Sequence, residues 1–170
     1  MKMNIQKNYV LVILLLCINM VAPASGAVEK SASAKFHGTL IVVECSINSG
    51  QRQMVDFGDA VGIHRIDGKR YEQPVPFSLD CNNYAGGQMP AMSLTAEGTA
   101  TSFNEAALTT NVTGLGIELR SNGTALPLNK AVNLDYGNLP SLTAVPVADP
   151  SVELQEQPFT ATVRLTVEIP

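Results

Sequence analysis

The run from Phe159 to Ile169 places Phe159, Ala161, Val163, Leu165, Val167 and Ile169 on one face and Thr160, Thr162, Arg164, Thr166 and Glu168 on the other. A two-residue period is that of a β-strand with one buried and one solvated face. This strand is long, half-apolar and followed only by Pro170. The expectation is that it has no later partner in the sequence, so it pairs with earlier strands or keeps an open edge. A long apolar edge exposes unpaired backbone groups and is an aggregation hazard unless another segment covers it.

The chain ahead of it is organised in the same way. Short segments rich in Val, Leu, Ile and Thr are separated by Gly, Pro, Asn and Asp, and helical periodicity is weak throughout. The candidate strands are Phe36 to Ile47, Gln53 to Phe57, Val75 to Cys81, Ala91 to Ala96, Leu115 to Arg120, Thr124 to Leu128, Leu142 to Val147 and Phe159 to Ile169. Asn122-Gly123 can supply the positive backbone angles of a tight primed turn, which makes Leu115 to Leu128 a hairpin. Gly62 to Tyr71 and Asn82 to Gln88 read as loops. The fold class that follows is all-β, a sandwich of immunoglobulin-like layout. With no tryptophan in the chain, the antibody pattern of a Trp packed on an inter-sheet bridge is not open to it.

The first residues are of a different kind. Lys2 and Lys7 precede an apolar run from Tyr9 to Met20, and small residues follow at Ala22-Pro23-Ala24 and Ser25-Gly26-Ala27. This is the pattern of a secretory signal peptide, residues 1–24, cut after Ala24 or Ala27. Its apolar core is shorter than the roughly 20 residues a membrane span needs. What remains fits a single domain, with residues 25–44 as an amino-terminal extension running into the first strand and residues 45–170 as the domain proper. A net charge of −4, spread without runs, suits a soluble exported protein and gives no basic surface for nucleic acid.

Cysteine usage agrees with export. Cys17 leaves with the signal peptide, and Cys45 and Cys81 remain as an even pair in an oxidising setting, which reads as one disulfide. Metal chemistry needs several ligands at suitable spacing, whereas His37 and His64 sit apart, so no metal or other cofactor is expected. No catalytic residues are expected either. Hydroxyls such as Ser46 and Ser78 lack a base and an orienting acid in any recognisable pattern. Asp56, Asp59, Asp67 and Asp80 read as solvated turn residues.

The stretch Ala34 to Cys45 carries more strand-forming apolar surface than an ordinary first strand needs. Phe36, Leu40 and Val42 share a face, with Gly38 between them. A glycine inside a strand loses packing and marks either a bulge or the close approach of another backbone. Two readings stay open at this point: a first strand with a bulge, or a strand built to be given to a partner.

Several motifs bear on that choice. They are Phe36-His37-Gly38-Thr39-Leu40 ahead of Cys45, then Cys45-Ser46-Ile47-Asn48, Val55-Asp56-Phe57-Gly58 and Phe77-Ser78-Leu79-Asp80-Cys81, followed by Gly114-Leu115-Gly116-Ile117-Glu118-Leu119 and the closing Phe159-Thr160-Ala161-Thr162-Val163. In order and spacing they span nearly the whole exported chain. The chain resembles the pilins of chaperone-usher fimbriae of Gram-negative bacteria, closest to the minor subunits of the P-pilus type, tip and adaptor subunits among them.

The resemblance implies an immunoglobulin-like sandwich lacking its last strand and completed by a donor strand from a partner. Phe36, Gly38, Leu40 and Val42 match the family's donor strand, and Cys45 and Cys81 match its disulfide. Phe159, Ala161, Val163, Leu165, Val167, Ile169 and Pro170 match the acceptor groove and chaperone-binding strand. The implied partners are a periplasmic pilus chaperone, an outer-membrane usher and neighbouring pilin subunits, with export through the periplasm to a fimbrium at the cell surface and a contribution to cell adhesion. No nucleic acid or small-molecule substrate is implied. One departure stands out: family members commonly carry an aromatic residue next to the end, where this chain has Ile169. The alternative function is a carbohydrate-binding adhesin domain, but receptor-binding tip proteins of this family place a lectin domain ahead of the pilin domain, and this chain has room only for the latter. The sequons at Asn111 and Asn122 are incidental in a bacterial protein.

Overall fold

Alternation and turn chemistry produce strands over most of the chain. The structure, a computed structural model, describes residues 31–40, 42–82 and 90–169. The signal peptide, the start of the leader before residue 31, most of the predicted loop after Asn82, and Pro170 lie outside the described residues. The chain divides into two units, Met1–Thr39 and Leu40–Pro170. The described part of the first unit has no secondary structure and is exposed throughout. The second unit carries every strand named here: β1 (Glu44–Ile47), β2 (Gln73–Val75), β3 (Leu79–Asn82), β4 (Met92–Glu97), β5 (Ala107–Thr109), β6 (Leu115–Ser121), β7 (Thr124–Ala125), β8 (Ala131–Leu134), β9 (Leu142–Ala148) and β10 (Arg164–Glu168). The all-β class read from the sequence is the class observed, and no α-helix occurs among the described residues.

Three antiparallel sheets make the sandwich. One sheet has the order β10-β4-β8, a second has β2-β9-β6-β5 with β7 added on β6, and β1 pairs with β3 as a separate two-stranded piece. The core lies where the inward faces meet. Met92, Leu94 and Ala96 of β4 pack with Ile117 and Leu119 of β6, Leu142 and Ala144 of β9, and Leu126, Leu128 and Leu134. Leu94 and Ala96 are fully buried because β4 is central, with strands on both sides. The outward face of β6 carries Glu118 and Arg120. Arg120 bonds Glu118 at 2.9 Å and donates to the Gly68 carbonyl at 2.7 Å, which ties the 67–72 turn to the sheet.

The expected hairpin is present. Asn122 and Gly123 have φ of 50° and 77°, and Arg120 pairs with Ala125 across the turn. β7 stops at Ala125, short of the predicted Leu128, because Pro127 offers no donor while Leu126 and Leu128 turn inward to the core. The predicted strand from Val75 to Cys81 is broken at residues 76–78 into β2 and β3, which belong to different sheets. Asn48 fills that break, donating from Nδ2 to the Pro76 carbonyl and accepting the Ser78 N–H at 2.7 Å. Pro74 sits on the edge strand β2, where a missing N–H is tolerated.

Four further expectations change. Among the described residues of Phe36 to Ile47 only Glu44–Ile47 is laddered, against Leu79–Asn82 of β3. Gln53 to Phe57 forms no strand; among its residues only Val55 and Phe57 are even partly buried. β5 and β8 were not expected, being too short and too small in side chain (Ala-Leu-Thr and Ala-Val-Asn-Leu) to show a period. The predicted strand Phe159 to Ile169 is laddered only from Arg164 to Glu168, since Arg164 already pairs with Glu97, the last residue of β4.

Gly114 holds the turn between β5 and β6 against the chain leading to β10. Its φ is +82°, and a Cβ there would lie 2.7 Å from Val152 Cγ1. Gly114→Ala should therefore cost both backbone strain and overpacking, roughly 1 to 3 kcal/mol. A lower urea midpoint of the folded subunit, with unchanged slope, is the expected result.

Candidate strand-acceptor groove

Among the described residues β10 has a ladder partner on one side only. Its register with β4 runs from Arg164↔Glu97 to Glu168↔Ser93, and it stands at the edge of its sheet. β1 belongs instead to the ladder with β3, from Glu44↔Asn82 to Ile47↔Leu79. The apolar face of the closing segment reaches the core without being covered. Phe159, Val163, Leu165, Val167 and Ile169 pack against the core cluster while only partly buried, whereas Met92, Leu94 and Ala96 on the neighbouring strand are 4%, 0% and 0% exposed. Ala161 is exposed. The result is an apolar trough along an unpaired strand edge.

A cleft opens at the Phe159 end of the trough. Near Phe159 a cleft of about 870 Å³ lies between residues 55–66 on one wall and 154–159 on the other, with Val112 and Leu115 at its base. The Phe57 and Phe159 rings meet across it, with centroids 5.7 Å apart. A second cleft, of about 490 Å³, is bounded by Met92, Ser93, Asn133, Glu168 and Ile169, and Glu168, Ser93 and Asn133 form one cross-strand row on the polar face of the β10-β4-β8 sheet.

The walls are set by local hydrogen bonds. Asp56 accepts the Gly58 N–H at 2.8 Å, and the Tyr71 hydroxyl accepts the Gly62 N–H at 3.1 Å, which shape the first wall. Asp149 starts the chain toward the second. The Ser151 hydroxyl and amide donate to its carboxylate and hold its pKa below the ordinary aspartate value. Asp67, in the turn tied to Arg120, is likewise lowered by the N–H groups of Arg70 and Lys69. Among the described residues no cluster of His, Cys, Asp and Glu has the makings of a metal site.

The remaining residues singled out in the sequence lie elsewhere. Phe36, Leu40 and Val42 are 92%, 102% and 71% exposed, outside any strand. A Cβ built on Gly38 meets nothing within 4 Å. Cys45 and Cys81 are bonded, S–S 2.05 Å, and stand directly opposite each other in the β1–β3 ladder. Pro170 lies outside the described residues. Sequence reasoning missed Asn111, whose side chain bonds residues 158 and 160, because nothing local marks an asparagine that acts 47 residues away.

Known proteins resemble this chain in sequence and in fold. The family model described as fimbrial protein matches residues 34–169. The chain is 39% identical over 137 residues to the fimbrial-like protein YfcQ of Escherichia coli K12, covering 78% of this chain and 84% of that protein. It is 31% identical over 128 residues to the fimbrial-like protein YfcR of the same organism, covering 73% and 72%. Among solved structures, the P pilus adaptor subunit PapF superposes with a TM-score of 0.56 at 25% identity, over 74% of this chain and 95% of that one. The P pilus rod subunit PapA gives 0.57 at 21% identity over 81% and 100%, and a subunit of a chaperone-usher pilus gives 0.54 at 20% over 84% and 97%. With its open-edged immunoglobulin-like sandwich and a family match over nearly all of the described chain, the protein belongs to the fimbrial protein family and is a structural pilin subunit of the chaperone-usher kind.

Proposed function

We propose that the protein polymerises by strand exchange. It gives the segment carrying Phe36, Gly38, Leu40 and Val42 to one neighbour and receives another subunit's extension along Phe159, Ala161, Val163, Leu165, Val167 and Ile169. Before assembly a periplasmic chaperone covers that trough, held in part by Pro170. An outer-membrane usher then passes the subunit into a fimbrium, through which it contributes to cell adhesion. The observation that carries the reading is the unpaired edge of β10 above a half-buried apolar face. Strand addition to such an edge draws affinity from main-chain hydrogen bonds and selectivity from pockets for alternate side chains.

Gly38 tests the donor half of the proposal. Inside this chain no neighbour requires a glycine there, so Gly38→Leu should leave the subunit's own fold and its chaperone-bound yield unchanged. In the neighbour's groove the added side chain would overpack, by about 1 to 3 kcal/mol. Insertion of the variant extension into the preceding subunit should slow by tenfold or more, as about 1.4 kcal/mol is tenfold. Both quantities are measured in parallel. Normal insertion with a damaged fold would overturn the assignment.

A further inference from the structure

Beyond the end of β4 the chain leading into β10 has lost its ladder. Among the described residues, the backbone from 153 to 163 is tied to the domain by hydrogen bonds at one side chain, Asn111. Its Nδ2 donates to the Pro158 carbonyl at 3.0 Å, and its Oδ1 accepts the Thr160 N–H at 2.6 Å. In a strand, the C=O of one residue and the N–H of the residue two further on project to the same edge. Asn111 therefore takes the place of a strand partner on the edge of the even-numbered residues. The main-chain groups of Phe159, Ala161 and Val163 are left to the opposite edge. Phe159, between the two bonded residues, is the ring that meets Phe57 across the larger cleft.

We propose that Asn111 is a positioning residue for strand acceptance, an inference that rests on the strand-exchange reading above. It holds residues 158–160 in register before a donor arrives, so that the unladdered half of the acceptor edge is already straight and the Phe57–Phe159 cleft already formed. The part of the order that a donor would otherwise have to impose is supplied in advance, which speeds insertion. Once a donor strand is in place, its own ladder fixes the same residues and the asparagine becomes redundant.

The subunit is purified from the periplasm bound to its chaperone and mixed with a fluorescent peptide carrying residues 28–44 of this chain. Uptake rate, melting temperature of the filled subunit and amide exchange at Thr160 are followed for the wild type, Asn111→Ala and Asn111→Asp. Asn111→Ala should lower the uptake rate about tenfold, about 1.4 kcal/mol, and speed exchange at Thr160, with the melting temperature of the filled subunit unchanged. Asn111→Asp keeps the acceptor for Thr160 but loses the donor to Pro158, and should fall between; it also serves if the alanine variant fails to fold. Equal uptake by wild type and variants overturns the proposal. So does slower uptake with a matching fall in the filled subunit's melting temperature, which is the mark of a purely structural role. A wild type that never takes up the peptide overturns the strand-accepting reading itself, and the role of Asn111 with it.

Discussion

Made without a chaperone, the exported chain should aggregate or be degraded, and a donor strand supplied in the same chain should restore a soluble, protease-resistant monomer. Five large apolar side chains, Phe159, Val163, Leu165, Val167 and Ile169, are only partly buried in the trough. Fully burying such a side chain is worth about 1.5 to 3 kcal/mol, so leaving five of them half-covered forgoes roughly 4 to 7 kcal/mol. That is comparable to the whole stability of an ordinary domain, about 5 to 15 kcal/mol. The open backbone edge of β10 adds both a further loss and a template for wrong pairing. The check is size-exclusion chromatography and limited proteolysis of two proteins: a chain starting at Glu44, which cannot fold its own extension back, and the same chain with residues 31–44 appended after a flexible linker. A monodisperse, resistant monomer from the first would sink the missing-strand account.

Replacing Cys45 and Cys81 by Ser should be the most damaging change outside the groove. β1 and β3 form a two-stranded ladder, a unit that is marginal in water by itself. The bridge joins residues directly opposite in that ladder and closes a loop with a sequence separation of 36. In the chain-entropy account a loop of that size is worth roughly 3 to 4 kcal/mol. Cys45, Cys81 and Ile47 also pack against the core, so releasing β1 uncovers part of it. The double serine variant should give a sharply reduced yield of chaperone-bound subunit and a lower melting temperature of the donor-filled form. Wild-type melting in that variant would remove the disulfide from the list of what holds the domain together.

Asn111 and Gly38 differ from these positions in kind. Neither is needed for the domain's own packing, since Asn111 is exposed and Gly38 touches nothing. Their expected effects fall on rates of exchange between subunits and not on the stability of one. Gly114 is the opposite case, fixed by its φ and by Val152 whatever the partner does.

The alternation of the closing strand, the Asn122-Gly123 turn and the Cys45–Cys81 pair could be read directly from the residues, because each depends on a local property: side-chain period, tolerance of positive φ, and thiol chemistry in an exported chain. The same local reading gave Phe159 to Ile169 as one strand. It could not place the start of the ladder at Arg164, which is decided by where a different strand, β4, ends at Glu97. β5 and β8 escaped notice for a related reason. Ala107–Thr109 and Ala131–Leu134 are too short to carry a period, and they are strands because β6 and β4 lie beside them with backbone groups to share. Gln53 to Phe57 shows the converse, a segment with strand-forming residues that pairs with no strand among the described residues. Which faces are apolar is legible from the residues alone, since that is a matter of side-chain chemistry in chain order. Which edges are paired emerges only once the chain is folded, because a backbone hydrogen bond needs a neighbour whose position the local sequence does not contain.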